Sequence, residues 1–61
     1  MLVLDRFPQQ RIIIELPDKS IIEIVILRIN GMQVKIGFEA PRNISIHREE
    51  IYHRILQERQ L

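Results

Sequence analysis

Polar and apolar residues alternate with a period of two along most of this chain, which is the mark of strands with one face turned from water. In "MLVLDRF" (residues 1–7), Leu2, Leu4 and Arg6 alternate with Val3, Asp5 and Phe7, and Pro8 then ends or redirects the strand because it has no amide proton for a ladder. "QRIIIEL" sets Ile12, Ile14 and Leu16 against Arg11, Ile13 and Glu15. "PDKS" is a turn cluster. "SIIEIVILRI" is apolar on both faces, interrupted by Glu23 on one and Arg28 on the other, and predicts a central strand covered on both sides. Asn30-Gly31 is a strong hairpin signal. After it, Met32, Val34, Ile36 and Phe38 alternate with Gln33, Lys35 and Gly37. "EAPRN" is a loop and "ISI" a short fifth strand.

From about His47 the period changes to that of a helix. Glu49 and Glu50 fall in the first turn, where the helix dipole favours negative charge, and Glu50 and Arg54 have the spacing of an ion pair. At 100° per residue, Arg48, Ile51, Tyr52, Ile55 and Arg59 share one side, opposite Glu49, Glu50, His53 and Gln57. Arg48 thus stands at the N-terminal edge of the apolar stripe and not among the solvated glutamates. The pattern predicts a mainly β domain over residues 1–61, with five short strands and one C-terminal helix.

Size changes the picture. A chain of 61 residues buries only about 60% of its unfolded surface, and small domains of this kind need a staple. There is no cysteine, so disulfides and thiolate metal sites are excluded. His47 and His53, six residues apart, do not share a helix face, and no metal or other cofactor is expected. With 46% hydrophobic residues, the remaining staple is a second copy, and an obligate homodimer with a shared core is the expectation.

The sequence carries no phosphate-cradling glycine motif and no pair of carboxylates that stands out, and so small a scaffold argues against an enzyme. A net charge of +1 means that any anionic partner must be met by a local cluster of cations. No apolar run is long enough for a membrane span, and "MLVLDRF" lacks the apolar core of a secretory signal. A cytoplasmic location without membrane attachment is the expectation.

The second half of the chain carries a specific pattern. Gln33-Val34-Lys35-Ile36-Gly37, Ala40-Pro41-Arg42 and the run Ile44-Ser45-Ile46-His47-Arg48-Glu49-Glu50-Ile51-Tyr52, with "MLVL" at the start, resemble the carbon storage regulator family, the CsrA/RsmA translational regulators. The resemblance covers residues 1–4 and about 26–57. It implies an intertwined homodimer of five-stranded subunits with shared antiparallel sheets. It also implies two equivalent RNA sites, each made from the first strand of one subunit and the last strand and helix start of the other. The implied ligands are GGA motifs in mRNA leaders and in small regulatory RNAs, and a protein antagonist is a possible further partner.

By the same resemblance, Leu4 and Arg6 line the site from the first strand, Ile44 and Ile46 frame the bases, Arg42 is the basic loop position and Arg48 contacts RNA. Arginine suits that role, since its planar fork pairs with phosphate or guanine and stacks on bases. The departures lie at "DRFPQQ": Asp5 replaces a threonine, Phe7 a second basic residue, and Pro8, Gln9 and Gln10 a glycine-glutamate turn. The "ELPDKSI" segment is about four residues longer than usual, and Arg28 stands where glycine is common. The alternative reading is a divergent dimeric protein-interaction module with little RNA affinity, favoured by Asp5, Phe7 and the near-neutral charge.

Overall fold

The computed structural model of the chain describes residues 1–60. It contains three strands and a helix: β1 (Arg11–Glu15), β2 (Ile21–Asn30), β3 (Gln33–Glu39) and α1 (Glu49–Arg59). The strands form one antiparallel sheet in the order β1-β2-β3, with β2 central. Of the five strands expected, those at residues 1–7 and 44–46 are not strands within the single chain. A strand exists only as one side of a ladder, and among the described residues neither segment meets a partner there.

Both hairpin turns follow from their residues. Leu16 donates its N–H to the Ser20 carbonyl at 2.8 Å, and Lys19 to the Leu16 carbonyl at 2.9 Å, enclosing the three-residue loop Pro17-Asp18-Lys19. Pro17 presets the first φ, Asp18 accepts from the Ser20 N–H (3.0 Å) and hydroxyl (2.6 Å), and Lys19 takes the left-handed conformation with φ of 74°. This is a type I turn followed by a left-handed residue, the usual three-residue hairpin. At the second hairpin Asn30 pairs with Gln33, so the loop residues are Gly31 and Met32. Only Gly31 has positive φ, 60°, which is the type II′ pattern. The Asn-Gly signal marked the hairpin correctly, but Asn30 belongs to the strand.

The register of β2 against β3 contains a bulge that sorts the faces. Ile26 faces Ile36, but Arg28 faces Lys35, leaving Leu27 as an extra residue. An unbroken strand would have set Arg28 opposite Val34, among the apolar side chains. The bulge turns Arg28 away and brings Ile29 opposite Val34 instead. Glu23 and Arg28 therefore share a face, and the reading that placed them on opposite faces is corrected. The Leu27 side chain lies over Gly37, where an added Cβ would be 3.2 Å from Leu27 Cδ1.

One face is thereby wholly apolar. It carries Ile12 and Ile14 from β1, Ile22, Ile24, Ile26 and Ile29 from β2, and Val34, Ile36 and Phe38 from β3. The other face is mixed, and there Arg11 Nη1 meets Glu23 Oε2 at 2.6 Å across β1 and β2. The apolar face is uncovered within the chain: Ile14, Ile29, Val34, Ile36 and Phe38 are 42–51% exposed. Among the described residues only Val25, at 8%, is buried, and α1 does not pack on any strand. The accessible surface is 5954 Å², against roughly 4,200 Å² for a compact monomer of this mass. The radius of gyration is 14.3 Å, where about 10.5 Å is usual for the length.

Two outcomes follow from the first hairpin. A left-handed conformation is unfavourable for a residue with a Cβ, so Lys19→Gly is expected to raise stability by about 1 kcal/mol in urea unfolding. The Ser20 hydroxyl and N–H hold the Asp18 carboxyl below its ordinary value of 3.8. That contribution is present above the ordinary aspartate pKa and is lost as pH falls through the lowered one. Asp18→Asn is therefore expected to lose less stability than wild type on acidification from about pH 5 to about pH 2.5, followed by circular dichroism.

Candidate nucleic-acid interface

The segment from Ala40 to the start of α1 carries four of the six candidate residues. Ile44 donates its N–H to the Pro41 carbonyl at 3.0 Å, closing a turn with Arg42 and Asn43 at its centre. Arg42, at the first central position of this turn, is exposed. Ile44 is half-buried, Ile46 is 45% exposed, and among the described residues the backbone of residues 45–47 makes no hydrogen bond in the chain. Its N–H and C=O groups are free to pair with another strand or with ligand groups.

Arg48 is the residue at which this run becomes helix. Its backbone is still extended, with φ of −66° and ψ of 149°, while its carbonyl already accepts from Ile51 at 3.1 Å and Tyr52 at 2.9 Å. The helix thus starts at Glu49, two residues later than the sequence pattern suggested, and Arg48 is its N-cap. No side chain caps the first-turn N–H groups. The positive end of the helix dipole and the guanidinium therefore lie together, partly offset by Glu49 and Glu50. Arg48 Nε is 3.4 Å from Glu50 Oε1, with both side chains largely exposed, so the pair is weak and open to exchange. Glu50 makes this contact in place of the expected pair with Arg54, and Glu49 meets His53 Nε2 at 3.4 Å.

His47 is held by stacking. Its ring lies 6.2 Å from that of Tyr52, with 24° between the planes, which ties the end of this run to the first turn of α1.

The other two candidates, Leu4 and Arg6, lie in the N-terminal extended segment. Leu4 is 53% exposed. Arg6 Nε donates to the Asp5 carbonyl at 2.9 Å and Nη1 to the Arg11 carbonyl at 3.4 Å. No hydrogen bond or ion pair joins Leu4 or Arg6 to residues 42–48 within the chain, among the described residues. The sequence-based expectation assigned the two halves to different subunits, and one chain brings together only the C-terminal half.

The departures at residues 7–10 rebuild a turn by other means. Gln10 donates its N–H to the Phe7 carbonyl at 3.1 Å, with Pro8 and Gln9 at the centre and Gln9 at φ of 71°. Proline followed by a residue of positive φ gives a type II turn. Gln10 Oε1 accepts from the Phe7 N–H at 2.9 Å. Gln9 clasps the bulge: its N–H reaches the Ile26 carbonyl at 2.6 Å and its Nε2 the Leu27 carbonyl at 3.0 Å. Gln10 accepts from the Ile26 N–H at 3.1 Å. The Ile26 bonds carry the β1–β2 pairing beyond Arg11, and the Gln9 amide occupies the carbonyl of the bulged Leu27.

This arrangement, from the N-terminal segment to Gln57 of α1, falls within a match to the CsrA family, described as a global regulator protein family, over residues 1–57. The chain belongs to the CsrA family. Two translational regulators CsrA from Leptospira biflexa serovar Patoc, strains Patoc 1 / Ames and Patoc 1 / Paris, are each 52% identical to it over 58 residues. Each alignment spans 95% of this chain and 68% of the relative. The family match runs through "DRFPQQ", so the altered turn is a variation within the CsrA pattern. No helix of the described residues is long and apolar enough to cross a membrane.

The helix-start geometry has a direct readout. With the rings stacked, the His47 side-chain protons are expected to show an upfield ring-current shift by NMR. Tyr52→Leu should abolish the shift and lower stability by about 0.5–1 kcal/mol.

Proposed function

We propose that this chain is an RNA-binding post-transcriptional regulator that recognises GGA motifs in mRNA leaders and thereby controls translation or message stability. The family match over residues 1–57, together with relatives that are translational regulators, carries this reading. Small regulatory RNAs with the same motif are competing ligands, a protein antagonist is a further partner, and the cytoplasm is the place of action.

The working form in this proposal is an intertwined homodimer. The uncovered apolar face and the surface excess of roughly 1,800 Å² over a compact monomer support it. Covering that excess on two chains removes roughly 3,600 Å², in the range of obligate homodimers. The segments at residues 1–7 and 44–46 then gain ladder partners from the other chain, completing five strands per subunit.

Each RNA site takes Leu4 and Arg6 from one subunit and Arg42, Ile44, Ile46 and Arg48 from the other. RNA sequence is read best on unstacked bases, whose edges meet main-chain donors and acceptors. The run at residues 45–47, whose backbone groups are unpaired within the chain, offers such groups. Arg48 sits at its end with the helix dipole behind it and only an exposed carboxylate to displace. Two equivalent sites on one rigid dimer allow bivalent capture of a transcript with two motifs. The reading as a protein-interaction module without RNA affinity rested on Asp5, Phe7 and the net charge, and no feature of the fold favours it.

The test is fluorescence anisotropy with a GGA-loop RNA and a scrambled loop. Wild type is expected to prefer GGA, and Arg48→Ala to weaken that binding by about 1–3 kcal/mol, roughly 5- to 150-fold. Sedimentation should show a dimer for both proteins. Equal affinity for the two loops would remove the sequence-specific reading, and a monomer at micromolar concentration would remove the shared core.

A further inference from the structure

The sheet carries a second cationic feature, away from the residues assigned to GGA recognition. Arg28 on β2 and Lys35 on β3 are directly opposite each other in the register. Like charges in that position repel, and a sheet normally separates them or supplies an acid between them. Here neither has a carboxylate within ion-pair distance among the described residues. The sheet's acids on the same face, Glu15, Glu23 and Glu39, lie towards the opposite end of β2, where Glu23 and Glu39 are paired in register and Arg11 engages Glu23.

The next pair towards the hairpin loop, Asn30 and Gln33, adds two amide side chains to the same face. With Val34 these four residues line an open groove of about 420 Å³. Its polar lining consists of a guanidinium, an ammonium and two carboxamides, without an acid. The Leu27 bulge creates this group, because a regular strand would have placed Arg28 on the apolar face.

We propose that this groove binds the phosphodiester backbone of RNA that flanks the recognised GGA element. The inference rests on the RNA-binding reading above and adds to it a site outside the six residues that the resemblance assigns to RNA contact. An arginine and a lysine without a counter-charge attract a polyanion, the planar guanidinium grips phosphate oxygens in pairs, and the amides reach sugar hydroxyls or base edges. A groove of this size and openness admits a length of strand, where a single inorganic anion would leave most of it empty. The site contributes affinity and salt dependence, with little sequence preference, and it compensates for the cation lost at Phe7.

The experiment measures binding of two RNAs to the intact protein across about 50–200 mM salt. One is a minimal GGA hairpin and the other the same hairpin with single-stranded flanks. The double variant Arg28→Gln/Lys35→Gln is expected to bind the flanked RNA about tenfold more weakly at the lower salt, with a salt slope reduced by about one to two units. Its affinity for the minimal hairpin should match wild type. Its melting temperature should equal or exceed that of wild type, since a like-charge pair has been removed, which separates the effect from damage to the fold.

If wild type binds GGA RNA in an Arg48-dependent way but the double variant is unchanged with both RNAs, the groove proposal fails and the RNA-binding reading stands. If wild type binds neither RNA, that reading fails and the groove proposal falls with it. If the double variant instead loses binding to a polyglutamate peptide alone, the groove serves an acidic protein and the RNA assignment is overturned.

Discussion

Nine apolar side chains share one face of a sheet that is a single layer thick, and among the described residues no helix or second sheet packs on them. Hydrophobic burial is the main favourable term in folding, and a lone sheet can realise it on neither side without a second layer. Other features of the molecule accord with that constraint. The helix does not pack on the sheet, the segments at either end extend without ladder partners, and the surface and radius exceed those of a compact chain.

The strands and the helix were legible because their periods are clean over enough residues. β3 alternates without ambiguity, β1 is framed by Arg11 and Glu15 on one face, and Pro-Asp and Asn-Gly mark the two turns, with Asn30 as the last strand residue before the second. The bulge was not legible. Leu27 closes an unbroken apolar run from Ile24, and when successive residues are all apolar the phase of the strand leaves no trace. Arg28 was consequently set on the wrong face, and its opposition to Lys35 stayed hidden until the register showed it. For residues 1–7 and 44–46, alternation revealed the capacity to form a strand, but a ladder also needs a partner, which alternation does not name.

At the candidate site the sequence located Arg48 at a junction and misjudged its surroundings. Helix propensity near His47 suggested an earlier start, whereas the His47–Tyr52 stack and the extended Arg48 backbone delay it. That shift makes Glu50 a neighbour of Arg48 instead of Arg54. The run "DRFPQQ" read as a loss of family features. In the structure Pro8, Gln9 and Gln10 form a turn of their own and satisfy backbone groups at the bulge, so the altered positions stabilise a different part of the sheet.

The bulge at Leu27 has one more effect. By inserting a half-step into β2, it separates the patterning requirements of the two ends of that strand. Residues before it answer to the pairing with β1, while beyond it Ile29 still answers to the apolar layer and Arg28 and Asn30 answer to the opposite face near the loop. Substitutions at the hairpin end can therefore accumulate without forcing matching changes at the other end, provided Gly37 continues to leave room for the leucine above it. The joint makes the distal hairpin a region where binding properties can diverge independently of the architecture that supports it.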